Sequence, residues 1–167
     1  MKRSILGLTA IAVLVGFLFW WFSPGQVVKR RSNLLWSTLT LEEGGGKGSR
    51  HAGVYTLNAL LAPEVALESP EVAQANGTFE RSELENAFSW LCDRVRVARF
   101  EGRGFDKVVV EDGRAIVTME VDAMVDLGDR RPLDGRHRVI LEWTRDDRHS
   151  WRLARASWSP EGTGAAP

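Results

Sequence analysis

Cysteine and tyrosine each occur once, at Cys92 and Tyr55, in a chain of 167 residues. A lone cysteine excludes an internal disulfide and any cluster of thiolates around a metal. Cys92 lies far from the amino terminus, so it offers no lipid-acylation site there. A lone tyrosine leaves a single phenolic donor for any active site. Histidine is scarce too: His51, His137 and His149 stand apart, without metal-ligand spacing, and no cofactor or metal motif is found. Net charge is absent, with 22 basic against 22 acidic residues. The two signs are interspersed, which argues against the basic face that nucleic-acid binding requires. No internal repeat is present.

What the chain does have is an uncharged run from Ile5 to Phe22, flanked by Lys2 and Arg3 on one side and by Lys29, Arg30 and Arg31 on the other. As a helix at about 1.5 Å per residue the run spans roughly 27 Å, close to one hydrocarbon core. The flanking cations pin its ends at the two interfaces. Ile5, Leu14 and Phe17 fall within the apolar span, and Trp20, Trp21 and Phe22 where an aromatic belt belongs. A cleaved signal peptide begins in the same way. The length of this run argues against cleavage, as does its exit through Trp20-Trp21-Phe22-Ser23-Pro24-Gly25, which lacks a small-x-small site. Residues 1–23 are therefore read as a single-pass membrane anchor. The positive-inside count is nearly balanced, and the short amino-terminal tail places the rest of the chain on the periplasmic or extracellular side of a bacterium.

Residues 24–159 make one domain, and 160–167 a disordered tail rich in glycine and alanine. Val27, Val28, Arg31, Leu34, Leu35, Thr38 and Leu41 recur at helical spacing, which predicts an amphipathic helix over about 25–42. The stretch Gly44 to Ser49 reads as a mobile loop. It fails as a phosphate loop because Lys47 is followed by Gly48 and no buried strand precedes it. A second helix is expected over about 53–62, ended by Pro63, then an extended piece at Val65 to Glu68. Ser82 and Glu85 suggest a capping box for a third helix with Leu84, Ala87, Phe88, Leu91 and Val95 on its buried stripe.

From about residue 95 the period changes to two. Strands are expected over Val95–Glu101, Lys107–Glu111, Ala115–Leu127, Arg136–Thr144 and Trp151–Trp158, with Asp112-Gly113 as a hairpin turn. In the longest strand Ala115, Val117, Met119, Val121, Ala123, Val125 and Leu127 share one face. In the last, Trp151 and Leu153 share a face opposite Ala154, Ala156 and Trp158. Helices first and an antiparallel meander after predict an α+β domain, three helices packed on a curved sheet in the shape of a cone.

In this order and pattern the chain resembles the nuclear transport factor two-like superfamily, also called the SnoaL-like or cystatin-like cone fold. The resemblance spans about residues 25–159. It is carried by the helix with Val27-Val28 and Leu34-Leu35, the helix from Ser82 to Phe88, and the strands Arg114 to Val121 and Trp151 to Trp158. It implies a cone enclosing an apolar pocket and a sheet face used for association, as in a homodimer. The superfamily includes isomerases, dehydratases, small-molecule binders and non-catalytic scaffold domains, some of them membrane-anchored, and fold does not choose among these.

For such a pocket the candidate lining residues are Tyr55, Trp90, Met119, His137 and Trp143. Cys92, beside the buried stripe of its helix, reads as a small core residue. Glu120, Asp122 and Asp126 share a strand face, with Arg136, Arg138 and Glu142 on the next strand and Arg155 on the last. These charges form either a polar ligand site or, as the expected reading, a cross-strand ladder on the outside of the sheet. The expected function is a membrane-tethered binding or assembly module without catalysis, meeting a small apolar ligand or a protein partner. The alternative is an isomerase- or dehydratase-like enzyme in which Asp122, Glu120 or His137 serves as base.

Overall fold

Pro24 pre-sets the first turn of a helix that buries Val28, Ser32 and Leu35, the spacing of one amphipathic stripe. This helix is α1, Pro24–Leu39. The computed structural model describes residues 20–44, 46–70, 75–128 and 133–161. After α1 come α2 (Lys47–Leu60), β1 (Leu61–Glu68), β2 (Gly77–Glu80) and α3 (Arg81–Arg94). Four long strands follow: β3 (Val97–Glu111), β4 (Arg114–Asp126), β5 (Leu133–Arg145) and β6 (Trp151–Pro160). The architecture is α+β.

Of the expected anchor, Ile5, Leu14 and Phe17 lie outside the described residues. Trp20, Trp21 and Phe22 are exposed. No helix among the described residues is long and apolar enough to cross a membrane. At the other end, Pro160 pairs with His137, and the Glu161 amide donates to the Arg136 carbonyl.

The strands form one sheet in the order β2-β1-β6-β5-β4-β3. β3 to β6 make the expected antiparallel meander. β1 departs from it, pairing parallel with β6 on one side and antiparallel with β2 on the other. β4 alternates as its sequence reads: Ala115, Val117, Met119 and Val121 are buried in the core.

The strands beside it do not keep that alternation. The expected gap between Glu101 and Lys107 is instead two irregularities within one long strand, at Gly102/Gly104 and at Phe105/Lys107. Each extra residue moves the following side chains to the other face. Ala98, Phe100, Phe105 and Val108 thus all turn toward the core. A further irregularity between β5 and β6 follows Glu142. It corrects the expected split of the last strand, because Trp151, Leu153, Ala156 and Trp158 all belong to the core side.

Two helix starts also differ from the sequence pattern. α2 begins at Lys47, within the expected loop, with Gly46 at its N-cap, and ends at Leu60 before Pro63, which lies inside β1. Arg50 accounts for the early start. Its two Nη atoms donate to the carbonyls of Cys92 and Val95 at 3.3 and 2.8 Å, and of Glu42 and Arg96 at 2.6 and 3.1 Å. One cation thereby joins the first turn of α2, the strand-like exit from α1 and the carboxyl end of α3, where the helix dipole favours it. α3 is capped two residues earlier than expected: the capping box is Glu80 with Glu83, whose carboxylate accepts the Glu80 amide at 2.8 Å.

Arg50→Ala is expected to lower stability by about 2–4 kcal/mol, because it strands four carbonyls in two segments at once. Urea unfolding followed by circular dichroism measures it. A loss below about 0.5 kcal/mol, the usual scatter of surface substitutions, would show that the network carries no stability.

Candidate functional site

Bulged strands bend the sheet, and three helices spanning its concave side cannot fill it completely. A cavity of about 340 Å³ remains. Leu35, Trp36 and Leu39 of α1, Leu57 of α2 and Leu84 of α3 form its helical wall. Leu61, Val65 and Leu67 of β1 close one side. The sheet supplies Phe100, Val121, Ala123, His137, Val139, Leu141, Leu153, Ala156 and Trp158. The volume falls at the low end of the range for small-molecule sites.

Among the described residues of this wall, His137 is the one titratable group. It stands opposite Val121 in the ladder. Its ring leans over the neighbouring Gly135, where a Cβ would lie 3.2 Å from Cε1 of the imidazole. Glycine at 135 therefore leaves the space that the ring occupies.

The other expected pocket residues are placed elsewhere. Tyr55 is 83% exposed and Trp90 52% exposed. Each sits two residues from a buried one, Leu57 and Phe88, and two residues is more than half a turn of helix. Trp90 lies instead under the Arg94 guanidinium, 5.4 Å from its ring centroid. Met119 and Trp143 are buried but lie outside the cavity wall. Met119 sits behind Trp36, whose indole Nε1 donates to its Sδ at 3.2 Å. Trp143 fills the core between Ala115 and Leu153 on the neighbouring strands. Cys92 is a core residue, and burial pushes its thiol pKa up.

Among the described residues, no aspartate or glutamate lines the cavity. The carboxylates considered as bases point out of the sheet. Asp122 accepts from Arg103 at 2.5 Å and from Arg136 at 2.9 Å, and these hydrogen bonds, Arg136 first, hold its pKa below the ordinary value. Glu120 faces Arg138 in the ladder, and Arg155 lies 3.8 Å from Glu142 and 2.6 Å from Glu68. The expected cross-strand charge ladder is thus present, on the face opposite the cavity. His51 is near the surface at 3.2 Å from Asp93, and His149 occupies a turn with φ of 59°.

Trp36, Phe100 and Trp158 were not anticipated as wall residues. Trp36 could have been found, since it adjoins Leu35 on an amphipathic helix. Phe100 alternates with Ala98 and was legible in the same way, whereas Trp158 depends on the bulge in β6, which pairing decides.

No protein-family profile and no curated protein matches the sequence. Solved structures match the fold. A nuclear transport factor two-like protein from Cytophaga hutchinsonii aligns with a TM-score of 0.63 at 13% identity, over 83% of this chain and 99% of that one. A candidate ketosteroid isomerase from Parabacteroides distasonis aligns with a TM-score of 0.55 at 13% identity, over 85% and 91%. A CaMKII hub from S. rosetta aligns with a TM-score of 0.57 at 17% identity, over 83% and 97%. The chain has the nuclear transport factor two-like fold.

Asp122 contributes stability that is present above its ordinary pKa of 3.8 and is lost as pH falls from there through the lower folded value. Asp122→Asn removes that contribution, so it is expected to be slightly less stable than the parent chain near neutrality and to converge with it in acid, which flattens the acid side of the stability profile. Urea midpoints between about pH 3 and pH 7 would measure this. An acid side as steep as in the parent chain would mean that the arginine pairs do not set it.

Proposed function

We propose that this chain is a non-catalytic binding module that holds a small apolar ligand in the cone, while a membrane anchor at residues 5–22 confines it. The observation that carries the reading is the segregation of polar chemistry. The cavity wall is apolar apart from His137, and the neighbouring carboxylates lie outside, against arginines. An isomerase of this fold needs a base and an oxyanion donor aimed into the cavity. Asp122 and Glu120 face away from it, and the sole tyrosine, Tyr55, is at the surface. Enzymatic use of the site would rest on His137 alone.

Association through the outer face of the sheet belongs to the same reading. Val109, Ile116 and Ile140 are exposed there. Val109 faces Ile116 and Thr118 faces Ile140 across adjacent strands, which gathers these side chains into one apolar strip between charged pairs. The likeness to a hub supports it. The partner is a second copy, and the domain lies on the periplasmic or extracellular side.

A neutral fluorescent hydrocarbon such as anthracene is expected to bind the full chain at one site. Ala156→Trp, which fills the cavity from β6, is expected to weaken it at least tenfold while the circular dichroism spectrum is kept. Equal binding by both proteins would remove the cavity as the site. Turnover of a ketosteroid that is lost in His137→Gln would favour the enzyme instead.

The full chain is also expected to stay with membranes through alkaline carbonate washing and, once extracted, to sediment as a dimer that Ile140→Lys converts to a monomer. Release by the wash would refute the anchor, and a monomeric parent chain would refute the association.

A further inference from the structure

The cavity has a polar neighbour. Between α1 and β3 an open groove of about 670 Å³ is lined by Asn33, Ser37, Thr40, Glu42 and Arg50, with Gly102 at its base. Trp36 and Phe100 line both spaces. Their rings stack with centroids 6.1 Å apart and planes inclined by 29°. The partition between an apolar chamber and a polar vestibule is therefore a pair of side chains and not a strand or helix backbone. Trp36 is fastened only softly on its indole side, because its Nε1 partner, Met119 Sδ at 3.2 Å, is a weak acceptor. Gly102 leaves the room that Met119 occupies behind this partition: a Cβ there would fall 2.6 Å from Met119 Cε.

We infer that the ligand is a single-chain amphiphile, with its hydrocarbon tail in the cavity and an uncharged, hydroxyl-bearing head in the groove beyond Trp36 and Phe100. The inference rests on the reading of the cavity as an apolar binding site and adds the chemistry of the head. Tail length follows from volume. A cavity of about 340 Å³ has room for a medium-length tail of about ten carbons.

The nature of the head follows from which groups in the groove remain free to bind. Arg50 is the only cation among the described residues of the groove, but its Nη hydrogens already go to four backbone carbonyls. It cannot present the two-pronged donor that a carboxylate or phosphate requires. The Glu42 side chain, in the same wall, repels an anion, and the charge of Arg50 opposes a cationic head. What is left is neutral and bifunctional. Asn33 offers both a donor and an acceptor, and the Ser37 hydroxyl, whose hydrogen goes to the Leu34 carbonyl at 3.0 Å, keeps a lone pair for an incoming hydroxyl.

The test uses the full chain held in amphipol, with bound anthracene displaced by decane, decanoate or monodecanoylglycerol, which share a ten-carbon chain. Monodecanoylglycerol is expected to displace the probe at a concentration about tenfold below that of the other two, the equivalent of one or two net hydrogen bonds. Ser37→Trp, an exposed position that blocks the groove, is expected to abolish that advantage and leave decane unchanged. Equal displacement by decane and monodecanoylglycerol, preference for decanoate, or an advantage that survives Ser37→Trp would each overturn the amphiphile while leaving the cavity as an apolar site. Failure of all three to displace the probe, with anthracene bound equally by Ala156→Trp, would overturn the cavity reading itself.

Discussion

A six-stranded sheet curves around three helices only if its strands bend, and bending requires that neighbouring strands differ in length along their shared edge. In this molecule the added length comes from irregularities at Gly102/Gly104 and Phe105/Lys107 on β3, and after Glu142 at the β5–β6 edge. The cavity rests on that mismatch. A flat sheet would bring its inner side chains directly against the helices at ordinary packing distance. The bent sheet holds the helices away at its middle and leaves a chamber. The bulge in β6 carries Trp158 inward, so the chamber gains an aromatic wall from one of the features that bend the sheet.

The sheet also sorts its chemistry by face. Along β4, Val121 and Ala123 meet the cavity while Asp122 between them meets Arg103 and Arg136 outside. A single backbone thus keeps an apolar interior and a charged exterior within one residue of each other, which a period of two makes possible and a one-residue slip would invert. Carboxylates held outside in this way are neutralised by near partners and remain solvated. They support the register of β3, β4 and β5 and leave the interior without an acid or base beyond one imidazole.

The sequence made the domain's architecture legible because its strongest signals are local. Alternation from Ala115 to Leu127 marked β4, Asp112-Gly113 marked its turn, and the spacing of Val28 and Leu35 marked α1. The charge ladder was legible for the same reason. What escaped were features set by partners distant in sequence. The face on which Ala156 and Trp158 lie depends on a bulge opposite Glu142, and the start of α2 depends on carbonyls around Cys92 and Arg96 that Arg50 reaches. Tyr55 and Trp90 were drawn into the pocket by residue type, although helical spacing puts both on the far side from Leu57 and Phe88. Only His137 among those residues meets the cavity, because Gly135 next to it leaves room for its ring.

The parallel pairing of β1 with β6 has a consequence for the order in which the molecule can form. Leu61 and Leu153 are partners in that ladder, as are Leu67 and Ala156. During synthesis β1 emerges with one edge available to β2 and the other bare until the final strand has left the ribosome. The meander of β3, β4 and β5 can zip from its hairpins in the meantime, but the chamber has no closed side until β6 arrives. Folding is therefore completed from the carboxyl end, with a long loop to close and an unpaired strand edge to shield while the chain waits.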